Sequence, residues 1–162
     1  MRIIGVDPGT ATTGFGIIEY AQGQFTFVDA GVITTRPDQP MPERLITLHD
    51  ELAQVVAETK PVQAAVELLY FATNVTTAMT VGQARGVILL TLAEAGLAVN
   101  EYTPMQIKQA VTGYGGAKKP QIQEMVRVLL KLPVIPRPDD AADGLAIAIT
   151  HANQRTTLVS AR

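Results

Sequence analysis

No cysteine occurs in the chain, which excludes disulfides, thiolate metal sites and cysteine nucleophiles together. Long apolar runs are equally scarce. The longest, Gly86 to Ala93, stops at Glu94, well short of the roughly 20 apolar residues that a membrane-spanning helix needs. The N-terminal run Ile3-Ile4-Gly5-Val6 is broken by Asp7 and Pro8, too short for the core of a secretion signal. Net charge is nearly absent as well: 13 Lys and Arg against 15 Asp and Glu leave −2. Total charge alone therefore gives no reason to expect a polyanionic partner. Internal repeats, linkers and low-complexity tracts are also missing. What remains, 162 residues of which 47% are hydrophobic, suffices to bury one ordinary core. We expect a cytoplasmic α/β protein with no membrane association, built as one domain over residues 1–155 with a short tail at 156–162.

The pattern of residues predicts the order of elements. Residues 2–7 (RIIGVD) form an apolar run closed by an acid and Pro-Gly, a buried strand entering a turn. A second strand follows in GTATTGFGIIEY, where Gly14 and Gly16 would admit the close approach of another backbone. The β-branched and aromatic stretch 25–35 gives a third strand, and short links between the three predict an antiparallel meander. Leu45, Leu48, Leu52, Val55 and Val56 recur at helical spacing, so residues 43–59 should be an amphipathic helix. Ala64 to Phe71 reads as a fourth, buried strand. A helix over about 76–95, a short strand in AVNEYT, helices at 104–112 and 119–130 and a last helix over about 139–153 complete the chain. Strand–helix–strand order in the second half predicts parallel pairing through right-handed crossovers. The expected fold is a mixed-sheet α/β domain.

A few acids stand in apolar surroundings, and these carry the chemistry. Asp7 ends the first strand; Glu67 interrupts the fourth between Val66 and Leu68. Asp140 and Asp143 are spaced i, i+3 near the start of the last helix and share a face. Asp139 has the character of an N-cap, and Asp7 before Pro-Gly could alternatively shape a turn. Buried Glu is rare without a partner. If the first and fourth strands are neighbours, Asp7 and Glu67 lie side by side, with Asp140 and Asp143 brought against them. Such a carboxylate group is self-repelling unless cations neutralise it. All-oxygen ligands favour hard ions, Mg²⁺ with Mn²⁺ as a substitute, and a pair of them suits in-line phosphodiester chemistry. We therefore expect two Mg²⁺ ions per subunit.

The basic residues are unevenly spread. Residues 1–60 hold four basic and eight acidic residues, whereas residues 101–131 hold five basic (Lys108, Lys118, Lys119, Arg127, Lys131) and two acidic. This positive segment includes the loop Tyr114-Gly115-Gly116-Ala117 leading into Lys118-Lys119. Lysines at a loop and a helix N-terminus suit phosphate contact, although a solvated helix face would look the same. Tyr70 and Phe71 follow Glu67 and precede a polar stretch, so one ring could stack on an unpaired base. Ala78, Gly82 and Gly86 form an i, i+4, i+8 strip of small residues, open either to a second subunit or to the domain's own sheet.

Five ordered blocks carry a resemblance: GVDPGTATTGFGII, VELLYFATN, VGQARGVILL, EYTPMQIKQAVTGYGGAKKPQIQEMVRVLLKLP and DDAADGLAIAITH. Together they span nearly the whole chain, which resembles the RuvC-type Holliday junction resolvases of the RNase H-like nuclease superfamily. The resemblance implies a mixed five-stranded sheet flanked by helices and a homodimer. It implies paired symmetric nicks in four-way junction DNA during recombination and repair, in a bacterial cytoplasm, alongside the RuvA–RuvB branch-migration complex. It assigns metal binding and catalysis to Asp7, Glu67, Asp140 and Asp143, a junction-contacting ring to Tyr70, and site-proximal lysines to Lys108 and Lys119. Phe71 and Lys118 are the further expected DNA contacts, and Lys119, or else Lys108, would stabilise charge on the scissile phosphate. Two rivals share the same residues: a nuclease of RNA or RNA–DNA hybrids, and a junction-binding scaffold whose acids only cap and turn.

Overall fold

The computed structural model describes residues 1–68 and 75–160. Three strands open the chain: β1 (Arg2–Asp7), β2 (Thr12–Ala21) and β3 (Gln24–Thr34). They pair antiparallel as a meander. The helix α1 (Met41–Thr59) leads to β4 (Gln63–Glu67), and α2 (Val75–Glu94) leads to β5 (Val99–Tyr102). Both β4 and β5 run parallel to β1. The five-stranded sheet has the order β3-β2-β1-β4-β5. The helices α3 (Pro104–Thr112), α4 (Lys119–Leu129) and α5 (Asp139–Ser160) complete the described chain.

Alternation along the central strands divides the core into two layers. Ile4, Val6, Ile17 and Val66 point to one face, where they meet Leu48 and Leu52 of α1 and Ala84, Ile88 and Leu92 of α2. Ile3, Ile18 and Ala65 point to the other, against α3, α4 and α5. Carried one step further, this alternation turns Asp7 and Glu67 toward the α5 face, and the register sets β1 beside β4 with Val6 opposite Val66.

The α5 helix lies unusually close to β1 and β2 because glycine occupies both sides of the seam. A Cβ added to Gly5 would lie 2.3 Å from the Gly144 carbonyl oxygen, and one added to Gly16 would lie 2.4 Å from the Leu145 nitrogen. One added to Gly14 would meet the Asp140 carbonyl oxygen at 2.0 Å. The expectation that Gly14 and Gly16 admit another backbone is thus borne out, and that backbone is the acid-bearing turn of α5.

Two boundaries move by more than two residues from the sequence reading, and one residue changes role. The strand β4 ends at Glu67 rather than Phe71; its neighbours β1 and β5 end at the same level, at Asp7 and Tyr102, so a longer strand would have no partner. Helix α5 continues past Asn153 to Ser160, into the stretch read as a tail. Asp139 is not an N-cap: it is the first residue within α5, and its carboxylate pairs with the Arg137 guanidinium.

Candidate active site

Three elements deliver the acids to one place. Asp7 comes from the last position of β1, Glu67 from the last position of β4, and Asp140 and Asp143 from the first turns of α5. Carboxylate oxygens of Asp7, Asp140 and Asp143 lie within 4.8 Å of one another, a spacing that could hold a metal ion. Glu67 joins the set through a hydrogen bond with the Asp7 carboxyl. Asp7, Glu67 and Asp143 open into a cleft of about 450 Å³, which Lys108, Lys118 and Lys119 also line.

The electrostatics record how costly this convergence is. Burial, then the charges of Glu67, Asp143 and Asp140, push the Asp7 carboxyl up to about 8. Burial raises Glu67 too, although the hydrogen bond from Asp7 and the charges of Lys108 and Lys119 oppose it. Burial likewise raises Asp143, against the pull of Lys119. The Lys119 ammonium donates to Asp143 Oδ2 at 2.8 Å. Partial burial disfavours that ammonium, yet the bond to Asp143 and the surrounding acids outweigh it and hold Lys119 above the ordinary lysine value. Even with Lys119 in direct contact and Lys108 nearby, Asp7, Glu67 and Asp143 all stay raised, so the lysines do not balance the carboxyl groups. A hard divalent cation fits the deficit, because it would favour the ionised form of each oxygen donor.

The described part of the site therefore unites Asp7, Glu67, Asp140, Asp143, Lys108, Lys118 and Lys119. Tyr70 and Phe71 lie outside the described residues. The α3 and α4 starts that place the lysines are locally fixed. Thr103 and Gln106 exchange the reciprocal bonds of a capping box at the start of α3, at 3.2 and 2.8 Å. At the start of α4 the Lys118 N–H donates to Gln121 Oε1 at 2.8 Å.

These carboxylates and lysines occupy a fold that the comparisons identify. A family profile described as crossover junction endodeoxyribonuclease RuvC matches residues 3–151. The chain belongs to the RuvC family. A crossover junction endodeoxyribonuclease RuvC from Chloroflexus aurantiacus is 57% identical over 158 residues, covering 98% of this chain and 96% of the relative. The solved RuvC of Thermus thermophilus in complex with a Holliday junction substrate superimposes with a TM-score of 0.92 at 37% identity, covering 97% and 96% of the two chains. The yeast mitochondrial Holliday junction resolvase Ydc2 shares the fold, with a TM-score of 0.72 at 14% identity over 98% and 80% of the chains. The fold class is thus the RNase H-like one expected, and the chain is a crossover junction endodeoxyribonuclease by family, the activity for which its RuvC relatives are named.

Two features of the structure escaped the sequence reading. The ring of His151, 1% exposed within α5, sits between the Tyr102 hydroxyl (2.8 Å) and Gln63 Oε1 (2.6 Å). This buried polar bridge ties α5 to β5 and β4. A lone His in the apolar run AIAITHA was the signal available, but its partners are 49 and 88 residues distant. The second is an ion pair between Arg85 of α2 and Glu101 of β5, which fastens α2 to the edge of the sheet.

Proposed function

We propose that each subunit of this RuvC-family protein nicks one strand of a four-way DNA junction, with Asp7, Glu67, Asp140 and Asp143 holding two Mg²⁺ ions. The observation that carries this is the convergence of Asp7, Asp140 and Asp143 to 4.8 Å beside the Lys119–Asp143 bond. When bound, such ions supply positive charge at the attacking water and at the departing 3′ oxygen. Asp7, central in the set, would be shared between the two, and Mn²⁺ would serve as well. Lys119 keeps the Asp143 carboxylate oriented and adds positive charge to the cleft where the scissile phosphate must lie, with Lys108 on the same wall. Lys118 stands at the N-cap of α4, where a backbone phosphate can be met by both ammonium and helix terminus. Tyr70 or Phe71 contacts an unpaired base at the branch point.

A homodimer is the working unit in this reading. On α2, a Cβ at Gly82 or Gly86 would meet nothing within 4 Å, while Ala84, Ile88 and Leu92 face the sheet. The small-residue strip therefore looks outward, between Met79 and Leu90, which are 65% and 55% exposed. That geometry favours a second helix as its partner. Membership of a family named for crossover junctions supports cooperation with RuvA–RuvB, and bacterial relatives support a cytoplasmic location. No helix among the described residues is long and apolar enough to cross a membrane.

The test compares a mobile four-way junction, its duplex arms and an RNA–DNA hybrid in Mg²⁺. The expected result is paired nicks in the junction alone, abolished in Asp7→Asn with junction binding retained. Preferential cutting of the hybrid would favour the RNA-directed rival. Metal-independent binding with no cleavage would favour the scaffold.

A further inference from the structure

The cleft has an exposed apolar lip that the carboxylates and lysines do not explain. Tyr114, between α3 and α4, is 66% exposed, and Met105, in the first turn of α3, is 70% exposed. Both side chains close over the Gly115–Gly116 loop. A Cβ on Gly116 would lie 2.5 Å from the Tyr114 hydroxyl and 2.6 Å from its Cζ; one on Gly115 would lie 3.1 Å from Met105 Cγ. Gly116 itself lines the cleft next to Ala117, Lys118 and Lys119. The phenol ring thus lies directly over a wall of the site.

The backbone beneath this ring is pinned. The Tyr114 N–H donates to Thr112 Oγ1 at 3.2 Å, and its carbonyl accepts from Thr112 Oγ1 at 3.0 Å and from the Ala117 N–H at 3.1 Å. A large aromatic ring held in place yet left in water gains little for the monomer, since its apolar area is not removed from solvent. Its value lies in what covers it. Lys108, Lys118 and Lys119 line the cleft to which Gly116, beneath the ring, also belongs, so a surface that covers the ring and enters the cleft must be anionic and also present flat, weakly polar faces. A nucleotide strand has both properties: phosphates for the ammonium groups, and a base or sugar for the ring.

We propose that Tyr114, with Met105 beside it, packs against the nucleotide next to the scissile phosphate and so sets which sequences the enzyme nicks. This rests on the junction-nuclease reading above. Tyr114 is a specificity residue here; the chemistry stays with the carboxylates and Lys119. The hydroxyl, turned over Gly116, is dispensable for packing, whereas the ring is not.

The experiment maps nick positions on a pool of mobile junctions with randomised sequence at the branch point, using wild type, Tyr114→Phe, Tyr114→Leu and Tyr114→Ala. Wild type and Tyr114→Phe should share one sequence preference. In Tyr114→Ala and Tyr114→Leu the ratio of favoured to disfavoured sites should fall severalfold, because stacking strength differs modestly from base to base. In parallel, 5-bromodeoxyuridine beside the preferred nick site, irradiated in EDTA, should crosslink to Tyr114. Thermal melting separates a folding defect: Tyr114→Leu still covers Gly116, so its melting temperature should match wild type while its preference is lost. An unchanged nick spectrum in Tyr114→Ala overturns the proposal, as does a change confined to variants that melt early. A wild type that neither nicks nor retains the junction overturns the nuclease reading, and the contact with it.

Discussion

Asp7 is where charge is most expensive in this protein. Its folded-state carboxyl titrates near 8 against 3.8 for an unperturbed Asp, so between those limits the folded chain binds a proton that the unfolded chain has released. Stability contributed by that proton is present below about pH 4 and is lost as pH rises toward 8. Glu67 and Asp143 shift the same way and add to the trend. The metal-free protein should therefore melt at falling temperatures from pH 5 to pH 8, and Mg²⁺ should restore much of the loss at pH 8. One pKa unit corresponds to about 1.4 kcal/mol, so Asp7→Asn, which removes the penalty, should stabilise the metal-free protein at pH 8 by a few kcal/mol. The same substitution should abolish cleavage. Scanning fluorimetry of both proteins across that range, with and without Mg²⁺, checks the sign; a melting temperature that rises with pH would contradict it. Lys119→Ala tests the other side of the balance. Without its bond to Asp143, that carboxyl should be raised further, and the rising limb of the pH–rate profile should move to higher pH while kcat falls. Lys119→Arg should return part of the lost rate if positive charge is the requirement.

At the scale of elements, the site depends on how closely α5 can approach β1 and β2. Gly16→Ala would force a methyl group to within 2.4 Å of the Leu145 nitrogen and 2.6 Å of its Cα, neither of which can move without shifting the helix. Overpacking of this kind costs about 1–3 kcal/mol. Because Asp140 and Asp143 ride on the shifted helix, cleavage should fall by far more than the loss of stability explains, even at temperatures where the variant is fully folded. Activity measured well below the melting transition decides this, and wild-type activity in a destabilised Gly16→Ala would remove the seam from the catalytic argument. This seam also shows what was legible beforehand. Periodicity reveals which face an acid occupies, so Asp7 could be placed at the end of the first strand and Glu67 within the fourth, and their alternation with Val6 and Val66 fixes the face. Gly14 and Gly16 announced a close contact for the same local reason. The bridge from His151 to Tyr102 and Gln63 was not legible, because it joins three elements whose packing is set by topology rather than by neighbours in sequence. The end of β4 was hidden for a related reason: AAVELLYF is apolar throughout, and only the shared termini of β1 and β5 stop the strand at Glu67.

The whole molecule explains why a net charge of −2 coexists with a DNA-cutting role. The acids that dominate residues 1–60 are scattered, whereas Lys108, Lys118 and Lys119 line one cleft, and a dimer would present two such clefts. Pairing through α2 would then decide whether two strands are cut together. The outward strip makes this testable without disturbing the subunit. A side chain at Gly86 meets open space within the monomer, and Leu is about 0.8 kcal/mol better than Gly in a helix interior. Gly86→Leu should therefore leave the isolated subunit folded, with α2 slightly more stable, while its bulk separates the backbones of two closely packed helices. Sedimentation should show the variant as a monomer at concentrations where wild type is dimeric. On a supercoiled plasmid with an extruded cruciform, wild type should yield linear DNA from paired nicks. Gly86→Leu should yield nicked circles, because each encounter delivers one cut and the cruciform is reabsorbed once the circle relaxes. A Gly86→Leu protein that stays dimeric and still linearises the plasmid would place the subunit contact elsewhere. If it is monomeric yet still linearises the plasmid, paired cutting does not require the two subunits to act in one complex.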